Sequence, residues 1–463
     1  MIKENKTIPR IKPSSKFLGN IEIAKKDPLT FFTEAIEEYG DIFQFKLLGK
    51  KSIFINKPEY IQHVLQKNDS AYKRHDAARK LKYVVGNALV CSDGESWKRK
   101  RRLMSPLFHR KCVDSYFSIM NNSAKDVIKG WENKNEVWLF SEMTDLTLKV
   151  ITNCLLGTEI ENGLSIIENN LVPAFDGCYQ RTIKPHLYLP KWVPSPDNIR
   201  YKSYIKNLNE LVKDILKIKE SEPLGNDFIS MFLLMQKEDR DITNQDIMDE
   251  VLGLILGGHE TTSISIYWTI RHMMDNLDIY NKVVEEFDEV VKGEELKLEH
   301  LSKLEYVDKL ISEGLRVSSA SWVISREAIQ KDKIDGYTIE KGDSVMMSSF
   351  TIHKHKDFWD SPSEFNPERF NEKLPHRYAY IPFSSGPKMC LGMSFSIMEM
   401  KIILYHLIKS NYLTSIPIGK MEFVPMITLR PKKDVTLVQN GKKGTSEEKI
   451  MDYNNEKITV TEK

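Results

Sequence analysis

Cysteine is scarce in this chain. Its five cysteines among 463 residues (Cys91, Cys112, Cys154, Cys178 and Cys390) are odd in number, scattered and without CxxC spacing. That pattern excludes a disulfide framework and a zinc site, and it fits a reducing cytoplasm. Long apolar runs are missing too. No segment reaches the roughly 18 uninterrupted apolar residues of a spanning helix, and the opening MIKENKTIPRIKPSSKFLGN lacks the apolar centre of a secretory signal. The expectation is a soluble, cytoplasmic protein with no integral membrane anchor. An excess of one charge is also absent: Lys+Arg 67 against Asp+Glu 65 leaves a formal +2, too little for the chain as a whole to hold nucleic acid. No internal repeat is found.

What the chain does have is apolar material and helical rhythm. At 41% hydrophobic it can bury a large core, and its length alone suits two or three domains or one unusually large one. Apolar residues recur at helical spacing in DPLTFFTEAIEEYG, PEYIQHVLQKN, LNELVKDILKIKESE and NKVVEEFDEVVK. Short alternating stretches, IFQFKLL with KSIFI and later KIDGYTIEKGDSVMM, read as hairpins. The fold class is therefore mainly α with a small β region. Beyond residue 439 the composition turns polar and rich in turn formers, so 440–463 reads as a disordered tail.

Two segments carry chemistry. In FSSGPKMCLG, Cys390 sits between Gly386 and Gly392, directly ahead of a helical run. Glycines remove side-chain bulk and let a flat group approach the backbone, while a helix N-terminus favours thiolate; the plainer reading is a tight turn before a core helix. In the second segment Thr243 and Asp246 form a capping-box pattern, followed by apolar periodicity through IMDEVLGLILGGHETTSISIYWTIRHMM. A helix running to about residue 276 would be some 50 Å long and central to the fold. Gly257 and Gly258 weaken it at mid-length by about 1 kcal/mol each, and Glu260 and Thr261 follow where core is expected. The alternative is close helix packing at the glycines with Glu260 facing solvent. Glu313 and Arg316 lie at i, i+3 and can pair, with Arg369 completing a charge network.

Taken in order, these segments resemble the cytochrome P-450 family from about residue 13 to residue 435. The matching motifs are WxxxR at Trp97 and Arg101, [AG]GxETT at Gly257 to Thr262, ExxR at Glu313 and Arg316, PERF at Pro367 to Phe370 and FxxGxxxCxG at Phe383 to Gly392. The resemblance implies one haem domain over 13–439 after a short extension, 1–12, with a long central helix over a b-type haem. It implies Cys390 as the axial iron ligand, with Phe383, Gly386 and Gly392 shaping the loop. Trp97, Arg101, Arg326 and Lys388 would hold the haem propionates. Glu260 and Thr261 would relay protons to bound dioxygen, and Glu313, Arg316 and Arg369 would be structural. Leu254, Gly257, Ala320, Trp322, Val323 and Ile416 would line the substrate pocket.

The implied activity is a monooxygenase, an oxidoreductase that uses O2 on a lipophilic lipid, terpenoid or polyketide-like molecule. A haem-thiolate isomerase, dehydratase or peroxygenase and a non-enzymatic haem sensor are the other readings. No flavin or iron–sulfur module accompanies the motifs, so a monomer of the soluble bacterial type would take electrons from a separate ferredoxin or flavodoxin with its reductase. The cations Lys98 to Arg102, with Arg110 and Lys111, are the expected docking surface. Three positions depart from the family pattern: Lys388 where Arg or His is usual, Ser384 where glycine is common, and Ser318 to Trp322 in place of a proline-rich stretch, read as a flexible and polar pocket wall.

Overall fold

The computed structural model describes residues 6–15, 19–20, 22, 26–47, 49–75, 80–132, 134–157, 163–183, 189–190, 192–225, 227–410, 412–413, 421–439 and 449–450. Its principal helices are α1 (Pro28–Tyr39), α2 (Gly94–Met104), α3 (Phe117–Lys129), α4 (Leu139–Leu156), α5 (Gly163–Ile183), α6 (Pro196–Ser221), α7 (Phe228–Glu238), α8 (Asn244–Met274), α9 (Leu277–Val291), α10 (Glu305–Val317) and α11 (Met393–Lys409). The strands of the main sheet are β1 (Ile42–Leu47), β2 (Lys50–Ile55), β3 (Tyr72–Arg74), β4 (Ile324–Ala328) and β5 (Ser344–Met347). The chain divides into two compact units, each built from separate stretches of sequence: Met1–Asp76, Asp308–Cys390 and Phe423–Arg430 form the first, and the remaining segments the second.

The first unit is built around the sheet, in the order β1-β2-β5-β4-β3. The stretch IFQFKLL pairs antiparallel with KSIFI, from Ile42 opposite Ile55 to Leu47 opposite Lys50, as its alternation requires. The later hairpin closes through Asp335 and Gly336, both at positive φ, joining Asp332–Ile334 to Tyr337–Ile339; Asp-Gly is a favoured pair for a two-residue turn of this hand. Helix α1 starts where Asp27 accepts the Thr30 amide and stops at Gly40, which is at φ 81. Its Phe31 and Phe32 pack with Phe43, Phe45, Phe54 and Trp322 into an aromatic cluster.

The second unit is helical and organised on α8. The capping box forms as the sequence predicts, Thr243 Oγ1 accepting the Asp246 amide while Asp246 accepts the Thr243 amide. The 31 residues of α8 span about 46 Å at 1.5 Å per residue, and α4 packs along them. Thr147 of α4 donates to the His259 carbonyl at 3.1 Å. Asp434, fully buried, accepts the amides of Phe140 and Ser141 at the start of α4, standing in for a cap residue. Lys449–Ile450, inside the segment read as tail, pairs with Lys433–Asp434; the rest of 440–463 lies outside the described residues.

Candidate active site

Each unit contributes its own group of predicted residues. In the first, Cys390 ends a loop fixed by three backbone bonds: Ser384 N–H to Ile381 C=O, Met389 N–H to Gly386 C=O, and Cys390 N–H to Phe383 C=O, at 3.0, 3.1 and 3.0 Å. Ser384 and Gly386 both sit at positive φ, 61° and 72°, so the sequence departure at Ser384 places a side chain where glycine is favoured. At Gly386 no side chain fits, since a Cβ would stand 1.8 Å from the Leu65 carbonyl oxygen. Gly392 caps α11 at φ −79, a backbone angle open to any residue. Among the cysteines Cys390 alone is exposed; Cys91, Cys154 and Cys178 are buried, Cys112 is partly covered, and none forms a disulfide.

The cations of this unit converge. Arg326 on β4 is buried and stands directly opposite Arg74 on β3. Lys388, its side chain 6% exposed, donates to both oxygens of Asp69 at 2.7 Å. Burial lowers the Lys388 pKa, Asp69 opposes that shift, and the positive charges of Arg326 and Arg74 add to it. The sequence expectation is that Lys388 holds a haem propionate; here its ammonium is paired with the Asp69 carboxylate. Neither Arg74 nor Asp69 was legible as a site residue in the sequence; the signal is cross-strand register, which places like charges opposite one another, a costly arrangement.

Beneath the loop lies the ExxR network. Arg316 donates to both oxygens of Glu313 at 2.6 and 2.8 Å, and both side chains are 0% exposed. Its remaining donors take the carbonyls of His353, Pro362 and Glu364, and Arg369 Nε reaches Glu313 at 3.0 Å. The predicted structural triad is thus one network. His353, which sequence reasoning missed, links it to the loop: Nδ1 lies 3.1 Å from the Arg316 carbonyl, and Nε2 accepts the Ile381 amide at 2.8 Å. With Nε2 accepting, Nδ1–H donates. Burial pushes its pKa down to about 3, so the ring stays neutral.

The pocket residues of this unit are mostly core. Trp322 is buried in the aromatic cluster and donates Nε1–H to the Met426 carbonyl at 2.9 Å. Ser318, Ser319 and Ala320 are buried, and Ser349 and Ser348 tie down the carbonyls of Ser321 and Trp322. The flexible polar wall is corrected to an anchored segment. Val323 is half-buried and Ile416 lies outside the described residues.

In the second unit Glu260 is 7% exposed, which removes the solvent-facing alternative. Thr261 Oγ1 donates to the Gly257 carbonyl at 2.5 Å. Although two glycines weaken a helix at this point, α8 runs unbroken through them. They divide the work: a Cβ on Gly258 would meet Ile151 of α4 at 3.0 Å, whereas one on Gly257 would meet nothing within 4 Å. From Val251 to Met273 the residues not buried are Gly253, Leu254, Gly257, Gly258 and Thr261, an open stripe at i, i+1, i+4, i+5 and i+8 along one face. Trp97 and Arg101 lie one turn apart on α2, half-buried. Lys100 beside them leaves the proposed docking surface, because its ammonium is buried against Glu250 and Asp246 at 2.9 and 3.3 Å; Lys98, Arg99, Arg102, Arg110 and Lys111 remain exposed.

No described helix is long and apolar enough to cross a membrane. A family model described as cytochrome P-450 matches residues 9–437. Among curated proteins, LUTEIN DEFICIENT 5, chloroplastic, of Arabidopsis thaliana is 25% identical over 84% of this chain and 70% of its own. Cytochrome P-450 4V2 of Rattus norvegicus is 26% identical over 89% and 85%. Cyclooctat-9-en-7-ol 5-monooxygenase of Streptomyces melanosporofaciens is 25% identical over 84% and 86%.

Proposed function

Because the chain belongs to the cytochrome P-450 family, we propose that it is a monooxygenase which holds haem b through Cys390 and inserts one oxygen atom of O2 into a lipophilic small molecule. One observation carries the reading: Cys390 is the exposed cysteine, held at the end of a loop whose turn at Gly386 admits no side chain. The monooxygenase name of the Streptomyces relative supports the reaction class.

The donor set fits the group the family implies. Arg74 and Arg326 in register, with Lys388 near enough to feel both, suit an anion, and a propionate matches the planar arginine fork. Lys388 contributes background charge while Asp69 holds it. Trp97 and Arg101 would add donors from α2. Bound haem supplies the activation of dioxygen, for which thiolate donation from Cys390 is the protein's contribution. One oxygen atom enters a C–H bond or a double bond, the other leaves as water, and two electrons with two protons balance the step.

Those protons are the task of α8. Glu260 is a buried acid, and Thr261 has committed its own hydroxyl proton to the Gly257 carbonyl, so its oxygen is turned into an acceptor that can order a water. Leu254 and Gly257 on the open stripe, with Val323, would shape the space for a lipid, terpenoid or polyketide-like substrate. Electrons would come from a separate ferredoxin or flavodoxin-type donor, docking on the exposed cations at Lys98, Arg99, Arg102, Arg110 and Lys111. The test is Cys390→Ser. The wild-type chain should give the strongly red-shifted CO band of a reduced haem-thiolate protein and the variant should lose it; a thiolate-type band retained in the variant removes Cys390 from the ligand role.

A further inference from the structure

Asp249 and Glu250 are adjacent carboxylates on α8, 6% and 5% exposed, and the chemistry above uses neither. Both reach out of the helix to one short loop. Asp249 Oδ2 accepts the Asn87 amide at 2.6 Å, and Glu250 Oε2 accepts the Leu89 amide at 3.0 Å. Between those two bonds Ala88 lies against Gly253, where an added Cβ would come within 2.8 Å of the alanine methyl. Gly86 begins the loop at φ +59, and a Cβ there would fall 2.0 Å from Asp249 Oδ1. Three successive residues, 87 to 89, are thus fixed to adjacent turns of α8 before the short turn Leu89–Cys91.

The attachment is charge-assisted, since each backbone amide meets a carboxylate. Glu250 Oε1 is in turn neutralised by Lys100 at 2.9 Å, which makes its burial tolerable. A cleft of about 220 Å³ lined by Asn87, Lys100, Phe232, Asp246 and Glu250 adjoins the anchor, so packing alone does not hold the loop from that side. The position along α8 matters most. Glu250, Leu254, Gly257 and Thr261 are spaced i, i+4, i+7 and i+11 and share a face, so the anchor stands one turn before the open stripe begins and about 16 Å from Thr261 along the axis.

We propose that Asp249 and Glu250 are positioning residues that dock the 86–91 loop at the head of the open stripe on α8 and thereby set how bulky a ligand the stripe admits. This rests on the haem-thiolate reading only for its ligand readout. The experiment uses the full haem-loaded chain and the double variant Lys100→Met/Glu250→Leu, because replacing a buried pair with apolar residues generally preserves folding. Hydrogen exchange should accelerate about tenfold or more at amides 87–91 and not across α4. The ratio of dissociation constants for 4-biphenylylimidazole and imidazole, read from their Soret shifts, should change about fivefold or more, because a limit on ligand bulk acts on the larger azole and not on the smaller. Lys100→Met/Glu250→Gln retains an oxygen for the Leu89 amide without leaving a buried ammonium unpaired, and it should lie closer to wild type than the leucine double variant in both readouts. Unchanged exchange in the leucine double variant overturns the anchor. Faster exchange with an unchanged ratio overturns the control of ligand size. If wild type gives no azole-induced Soret shift at all, the haem-thiolate reading fails and the ligand half of the proposal with it, while exchange still decides the anchor.

Discussion

Two substitutions two residues apart in the cysteine loop should move stability in opposite directions. In Gly386→Ala the new Cβ would begin 1.8 Å from the Leu65 oxygen, whereas real Cβ contacts essentially never fall below 3.0 Å, so loop or carbonyl must retreat by at least 1.2 Å (3.0 less 1.8). Overpacking of that kind costs about 1–3 kcal/mol, and alanine at φ 72 adds about 1–2 kcal/mol. The loss is therefore on the order of 2–5 kcal/mol. Ser384→Gly acts the other way. It relieves a left-handed serine at φ 61, worth about 1–2 kcal/mol, and it deletes a hydroxyl that is buried without a hydrogen-bond partner, worth about 1 kcal/mol or more. Glycine's greater freedom in the unfolded chain returns about 0.4–1 kcal/mol, leaving a net gain on the order of 1–2 kcal/mol. Urea unfolding of the haem-loaded chain, followed in parallel by far-ultraviolet circular dichroism and the Soret band, measures both shifts. If Gly386→Ala unfolds at the wild-type midpoint, or Ser384→Gly unfolds earlier than wild type, the loop geometry described above is wrong.

Thr261→Ala and Glu260→Gln should leave haem content and ligand binding nearly intact while product formed per NADPH falls and hydrogen peroxide rises; unchanged coupling in both would remove the proton-delivery role. His353 should make the fold acid-sensitive. The unfolded ring takes a proton near its ordinary pKa of 6.5, but the buried ring does so only near 3, so its contribution is intact above about 6.5 and is lost as pH falls, by up to about 1.4 kcal/mol per unit. His353→Gln should flatten the stability slope between about pH 6 and pH 4, and equal slopes would show that the ring does not titrate this way. Arg316→Met takes the bidentate partner from buried Glu313, which is left with Arg369, and removes the Arg316 donors from the His353 and Pro362 carbonyls; a loss of about 3–5 kcal/mol is expected, seen as failure to recover haem-loaded protein, with Arg369→Lys milder.

Much of this was legible because it is local. The capping box at Thr243 and Asp246 needs only three residues of spacing, the Glu313–Arg316 pair only one helical turn, and the hairpin at Asp335-Gly336 only a dipeptide. Cys390 stood out for the same reason, being set between two nearby glycines, of which Gly386 proves to be the one where bulk is excluded. What the sequence concealed depends on distant partners. Asp69 is 319 positions from Lys388, and nothing near Lys388 signals that its ammonium is already engaged. Arg74 looks like one more surface cation until strand register sets it against Arg326. Trp322 reads as pocket wall from its neighbours in sequence, yet the aromatic side chains of α1 and the hairpin claim it for the core. Lys100 was counted with its exposed neighbours because a run of basic residues does not reveal which helix face each one takes.

The neighbouring glycines of α8 give this molecule an unusual freedom to diverge. Gly258 faces the Ile151 side chain of α4, which must give by a few tenths of an ångström to admit a methyl group there. Gly257 borders open space, and alanine in its place would strengthen the helix by about 1 kcal/mol while taking volume from the stripe. On the proposed reading of Gly257 as a pocket residue, that one substitution would reduce the space offered to a substrate and leave the scaffold as stable as before or more so. Position 257 can thus accept a methyl group without compensating stability elsewhere, whereas its neighbour at 258 cannot take one without a response from α4.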